Sequence, residues 1–204
     1  ANETSGLRIG FAAVTTRGCC KEEAKNIGLL IHEYLSNKIT KEQAKEKVQQ
    51  LKDAGCYIVS YITIGEDDSL NVADGLGEGG YASYYVYENG SPKMNNNWNS
   101  YFVDAGNPVW QAKIIDEAEK ILDYGVDGLF LDNVITRHCY CPTCTKLMKE
   151  QGVDMDNPAD VYNFAYQATR EFAKKIRALV PEDKYVYTNG FGESFARTHG
   201  EVEC

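Results

Sequence analysis

The sequence predicts an α/β fold of the (β/α) TIM-barrel type, drawn as one domain over residues 1–204. Three observations predict it. Short apolar runs alternate with segments of helical periodicity, the pattern of parallel βαβ units. Carboxylates stand beyond the ends of three of those runs, at Glu66, Asp132 and Glu193, where the strands of a parallel barrel meet their ligands. No Gly-rich phosphate loop of the usual spacing follows the first run, so an open, doubly wound sheet ranks second.

The elements follow in order. Residues 7–15 (LRIGFAAVT) read as a strand that ends in Thr15, Thr16, Arg17, Gly18, Cys19 and Cys20. A helix over residues 21–36 places Ala24, Ile27, Ile31, Tyr34 and Leu35 at helical spacing. Thr40 and Gln43 form a capping box that opens a second helix, with Ala44, Val48 and Leu51 inward and Gly55 as its stop. Residues 57–65 (YIVSYITIG) are a strand that runs into Glu66, Asp67 and Asp68. Residues 74–80 hold four glycines and must be irregular. Asn89-Gly90 is a turn signal, and Asn95 to Asn97 with Trp98 extend this long polar connection.

Residues 101–105 (YFVDA) are the next strand candidate. Asn107-Pro108 and Asn157-Pro158 each read as a cap followed by an N1 proline. The first opens a helix with Trp110, Ile114, Ala118 and Ile121 on one face, closed by Gly125. The second opens a long helix that buries Val161, Phe164, Phe172 and Ile176 and ends before Pro181. Between them lie a buried parallel strand at residues 126–131, ending on Asp132, and a short helix over residues 142–151. Residues 185–189 (YVYTN) are the last clear strand.

That makes five strands, whereas a full barrel has eight and usually about 250 residues. The sequence therefore implies a barrel shortened or truncated towards its C-terminus, where residues 201–204 resemble the start of another strand. The exposed edge near Tyr185 and Tyr187 is expected to be covered by a partner copy or a further C-terminal segment.

Charge narrows the partners. A net charge of -9 argues against nucleic acid, whose phosphates would be repelled. No apolar run is long enough to span a membrane, and no export signal is read, leaving a cytosolic protein or one whose leader was removed. The 14 tyrosines, several beside strand ends, suit carbohydrate contact or ordinary half-buried packing. Seven cysteines cannot all pair within one chain and leave the redox compartment open.

The segments around Tyr61 to Glu66, Tyr101 to Asp104 with Asn107 to Trp110, and Val126 to Asp132 resemble, as an ordered set, motifs of the family 114 glycoside hydrolases. The resemblance covers residues 55–195 and implies a (β/α)-barrel of the endo-α-1,4-polygalactosaminidase type. By that match Asp132 and Glu193 fall on the family's two catalytic carboxylates. Glycoside hydrolysis needs such a pair, one to protonate the leaving oxygen and one to attack or activate water. The preferred assignment is Asp132 as nucleophile and Glu193 as general acid, with the reverse open. Glu66 and Asp67 would line the pocket, and Tyr61, Trp98 and Asn189 would contact sugar. Two alternatives stand beside this: Glu66 as a loop carboxylate fixing a nearby Arg or Lys, and Trp98 as a packing aromatic.

Cys139, Cys141 and Cys144 place three thiols within six residues. This resembles the cysteine motif of the family 42 β-galactosidases, which implies a structural zinc. Three thiolates and one further ligand make a closed tetrahedral site. Cys20 or Cys19, beyond the first strand, is the expected fourth ligand, and His138 is nearer in sequence. A disulfide from Cys19 or Cys20 to this cluster, and three free thiols, are the competing readings.

The leading functional expectation is a glycoside hydrolase acting on an α-linked glycan, one containing galactosamine among the candidates, with no cofactor in the catalysis and an extracellular or periplasmic location. The alternative is a non-catalytic carbohydrate-binding or scaffold barrel. A metal-dependent hydrolase using the thiols fits poorly, because catalytic zinc usually keeps an open position.

Overall fold

A computed structural model describes residues 21–53, 55, 57–67, 76 and 80–188. The chain divides into two compact units, Ala1–Ile58 and Val59–Cys204. The expected strand at residues 7–15, and with it Cys19 and Cys20, lies outside the described residues, as do Asn189 and Glu193.

The first unit contributes helices α1 (Lys21–Leu35) and α2 (Lys41–Asp53). The capping box forms as expected: Thr40 N donates to Gln43 Oε1 at 2.9 Å and Gln43 N to Thr40 Oγ1 at 3.3 Å. Ala44 is buried, Lys47 pairs with Glu33, and Gly55 ends the helix at φ +90°.

The second unit holds the strands β1 (Val59–Thr63), β2 (Glu66–Asp67), β3 (Tyr87–Glu88), β4 (Ser91–Pro92), β5 (Met94–Asn95), β6 (Ser100–Phe102), β7 (Gly128–Asp132) and β8 (Tyr185–Thr188). Its helices are α3 (Pro108–Leu122), α4 (Pro142–Glu150) and α5 (Pro158–Leu179). Strands β1, β7 and β8 pair in parallel in that order, with Tyr61 opposite Phe130 and Phe130 opposite Tyr187. A helix precedes β7 and another precedes β8, which is the βαβ repeat of a barrel wall.

Alternation gives the parallel sheet two unlike faces. Ile62, Leu129, Leu131 and Val186 belong to one buried cluster with Trp110 and Ile114 of α3 and Phe172 and Ile176 of α5. Trp110 fixes the register of this layer, because its indole Nε1 donates to the Ile64 carbonyl at 2.9 Å. The opposite face carries Tyr61, Phe130, Asp132 and Tyr187, and the rings of Tyr61 and Phe130 stack at 6.0 Å. In a (β/α)-barrel the face turned away from the helices is the interior.

Helix starts follow the sequence closely. Asn107 accepts from Val109 N at 2.9 Å and Asn157 from Ala159 N at 3.1 Å, each ahead of its proline. The hairpin between β3 and β4 turns at Asn89 and Gly90, both at positive φ.

One expected barrel strand is not one. Residues 101–105 overlap β6, which pairs antiparallel with β2 and β5 in a separate small sheet. Apolar alternation marks a half-buried strand without saying which sheet receives it. Here β2 follows β1 after a two-residue turn and offers an edge before the chain can return to the wall. The tyrosine-rich stretch beside it is buried against the same sheet: Tyr85 bridges Val103, and Asp104 N donates to the Tyr84 carbonyl at 2.7 Å. Among the described residues no helix is long and apolar enough to cross a membrane.

Candidate functional site

Asp132 is the last residue of β7, half-buried, with its side chain on the face turned away from the helices. The sequence placed it just beyond the strand; the ladder extends one residue further, pairing it with Thr63. The Tyr61 hydroxyl donates to Asp132 Oδ2, and Asn133 Nδ2 approaches the same oxygen at 3.3 Å. Asn133 takes φ +56°, so the chain turns sharply after the carboxylate. That turn lies directly over Gly65: a Cβ there would sit 1.8 Å from the Asn133 carbonyl oxygen. Ile64 N donates to the Asp132 carbonyl at 3.0 Å and completes the junction of the two strand ends. A carboxylate held this way, by two donors on a rigid strand end, is oriented for nucleophilic or acid–base chemistry.

Glu66 and Asp67 occupy β2 and are buried. Glu66 accepts from Ser100 Oγ at 2.7 Å and Asn95 Nδ2 at 3.1 Å, and Arg137 Nη2 lies 3.7 Å away. Arg137 also stacks on Phe102, its Cζ 3.6 Å from the ring centre. Burial pulls its guanidinium below the ordinary arginine value, and the Glu66 charge opposes that pull. Glu66 thus occupies the place of the carboxylate that fixes a nearby arginine, the alternative weighed from sequence. Asp67 accepts from the hydroxyls of Tyr84 at 2.7 Å and Tyr85 at 3.3 Å. These contacts tie the tyrosine-rich stretch to β2 of the small sheet. Trp98 is 65% exposed in the turn between β5 and β6.

The cysteine cluster is built from two segments. Cys139, Cys141 and Cys144 lie at the start of α4, where Cys141 is the N-cap and its Sγ accepts from Cys144 N at 3.3 Å. Among the described residues these thiols form no disulfide, and all three are buried. Asp104, from the turn after β6, completes the group: all four ligand atoms lie within 4.8 Å of one another. Cys144 Sγ donates to Asp104 Oδ2 at 2.9 Å, and Gly106 N to Oδ1 at 2.9 Å. Burial pushes the Asp104 carboxyl up to about 6, and the charge on Cys141 adds to the rise. Hydrogen bonds from Cys139 and Cys144 pull the Cys141 thiol well down, while Cys139 and Cys144 are pushed up by the same contacts. Three sulfurs and a carboxylate oxygen converging on one point make a donor set of the kind that holds a four-coordinate metal. The donors fit the structural zinc implied by the family 42 resemblance.

Sequence reasoning missed Asp104 as a member of this group. His138 is not one: its Nε2 lies 3.0 Å from the Pro158 carbonyl oxygen and its ring rests beside Tyr162. Cys20, expected as the fourth ligand, lies outside the described residues, as do the catalytic candidate Glu193 and the sugar-contact candidate Asn189.

No protein-family model matches the chain. The α-L-fucosidase isoenzyme 2 from Paenibacillus thiaminolyticus superposes with a TM-score of 0.58 at 21% identity, over 71% of this chain and 22% of that one. The glycoside hydrolase domain of PelA from Pseudomonas aeruginosa superposes with a TM-score of 0.52 at 21% identity, over 78% of this chain and 53% of that one. The fold is of the (β/α)-barrel type, and the described residues form part of such a barrel. A stretch of 38 residues is 55% identical to serine hydroxymethyltransferase from Malacoplasma penetrans (strain HF-2), 19% of this chain but 9% of that protein. The chain thus spans a small part of that relative and at most about half of these structures.

Proposed function

We propose that the chain carries a glycoside hydrolase site in which Asp132 is one of two catalytic carboxyls. The observation that supports this most is its position: the final residue of a central parallel strand, on the face away from the helices, with Tyr61 donating to it. That is where (β/α)-barrel enzymes keep their chemistry. Likeness of fold to a fucosidase and to the PelA domain is in keeping with the reading. The family 114 resemblance supplies the second carboxyl, Glu193, as general acid to the nucleophile Asp132.

The substrate class is an α-linked glycan, with a galactosamine-containing polysaccharide the first candidate. Tyr61, Trp98 and Asn189 contact the sugar in this reading, and no cofactor takes part in bond cleavage. An extracellular or periplasmic location goes with such a substrate. The test is release of reducing ends from a panel of polysaccharides that includes deacetylated galactosaminoglycan. Release from at least one α-linked polymer is expected. Retention of glycan on the protein without cleavage of any member would overturn the proposal in favour of a non-catalytic binding barrel.

A further inference from the structure

We propose that Asp104 closes a four-ligand zinc site with Cys139, Cys141 and Cys144, in the place a fourth thiolate would otherwise take. The group's dimensions suit one ion. A tetrahedral site with zinc–sulfur bonds of about 2.3 Å has sulfur–sulfur edges of about 3.8 Å. The four donor atoms lie within 4.8 Å of one another. Asp104 Oδ2 is 3.8 Å from Cys141 Sγ and 2.9 Å from Cys144 Sγ, on either side of the sulfur–oxygen edge of about 3.5 Å that zinc–oxygen bonds of about 2.0–2.2 Å imply.

The carboxylate itself is the second observation. Asp104 is 8% exposed, and among the described residues no lysine or arginine pairs with it. Its partners are the Cys144 thiol, a weak donor, and the Gly106 backbone N–H, with the Cys141 sulfur 3.8 Å away. A buried carboxylate needs a cation or strong donors to offset its lost hydration. A divalent ion among three sulfurs and this oxygen meets that need, and a thiolate-rich, four-coordinate donor set selects zinc among the common ions.

Asp104 also explains what the ion holds together. It stands in the turn that runs from β6 into α3, whereas the cysteines open α4. Metal bound here joins the two segments that leave the small sheet and the strand of Asp132. Four protein ligands leave no open position, so the site is structural. Zinc held here does not depend on sugar cleavage, and metal content and ligand spectroscopy read it directly.

The experiment uses the full chain purified without chelators. Elemental analysis is expected to find about one zinc per chain. In competition with a zinc chelator, Asp104→Asn should lose the ion at least about tenfold more readily than the wild type. His138→Ala should hold it unchanged. Cobalt(II) put in place of zinc should show tetrahedral d–d absorption with thiolate charge transfer, and Asp104→Cys should raise the charge-transfer intensity. The cobalt spectrum of the wild type and of Asp104→Cys decides even where Asp104→Asn does not fold. Folded wild type without metal that gains none from zinc overturns the site. Asp104→Asn with wild-type retention, or Asp104→Cys with an unchanged cobalt spectrum, overturns the role of Asp104.

Discussion

The hydroxyl of Tyr61 donates to the carboxylate of Asp132 across two neighbouring parallel strands, although 71 positions separate the residues. Tyr61 lies opposite Phe130 in the ladder and stacks on it, so its hydroxyl reaches one pleat forward to the strand's last residue. The ring supplies the rigidity and the oxygen supplies the contact. Tyr61→Phe keeps the ring and removes the contact. A hydrogen bond to a charged group contributes about 1.5–3 kcal/mol, which in a rate is about 10- to 100-fold. Tyr61→Phe should lower kcat by that factor on any glycan the protein cleaves, with little change in melting temperature. Steady-state kinetics beside a thermal melt checks this, and an unchanged kcat would remove Tyr61 from the site.

Asp132→Asn keeps the shape of the side chain and an oxygen that accepts from Tyr61. It removes the charge that nucleophilic attack or base catalysis requires. Turnover should fall on the order of 10³-fold or more, while circular dichroism and glycan retention stay close to wild type. Undiminished cleavage by this variant would take Asp132 out of the mechanism.

Local chemistry made parts of this fold legible. The Thr40–Gln43 box and the Asn107 and Asn157 caps each involve partners within three residues, so sequence spacing alone specifies them. The position of Asp132 was legible because an apolar run that closes on a carboxylate marks where a buried strand leaves the core. Asp104 ends the run Tyr101 to Val103 in the same way, and that was the available signal. In the sequence it falls within an apparent barrel strand, because alternation does not distinguish a wall strand from β6. Its partners lie at least 35 positions on, and only the folded chain brings them together. Glu66 presents the complementary case. A strand-end carboxylate looks like a ligand group in sequence, yet Ser100, Asn95 and Arg137 surround it in space.

That surrounding gives a stability prediction. Glu66→Ala leaves the half-buried Arg137 guanidinium without its anion and strands Ser100 and Asn95. Removing one partner of a buried ion pair costs about 3–5 kcal/mol, so the urea midpoint should fall markedly. Glu66→Gln keeps an acceptor for Ser100 and should lose about 1–3 kcal/mol. Adding Arg137→Met to Glu66→Ala removes the orphaned charge and should recover part of the loss. A double-mutant cycle with no coupling between the two positions would mean that the 3.7 Å approach contributes nothing.

The sharpest test of the strand-end junction is Gly65→Ala. A Cβ at this position would stand 1.8 Å from the Asn133 carbonyl oxygen, 2.8 Å from its carbon and 2.9 Å from the Asn133 Cβ. Two of those three atoms are backbone, and they cannot easily retreat. The preceding residue is tied to β1 by the bond from Ile64 N to the Asp132 carbonyl, and Asn133 is already in the left-handed region. The methyl group must therefore separate the ends of β1 and β7, carrying Asp132 away from Tyr61. Gly125→Ala serves as the comparison: a Cβ there meets nothing within 4 Å, and only its φ of +80° is strained. Left-handed strain costs about 1–2 kcal/mol, whereas overpacking against fixed backbone should exceed about 3 kcal/mol. Urea unfolding of both variants separates the two effects. A Gly65→Ala chain no less stable than Gly125→Ala would show that the two strand ends are not in contact as described.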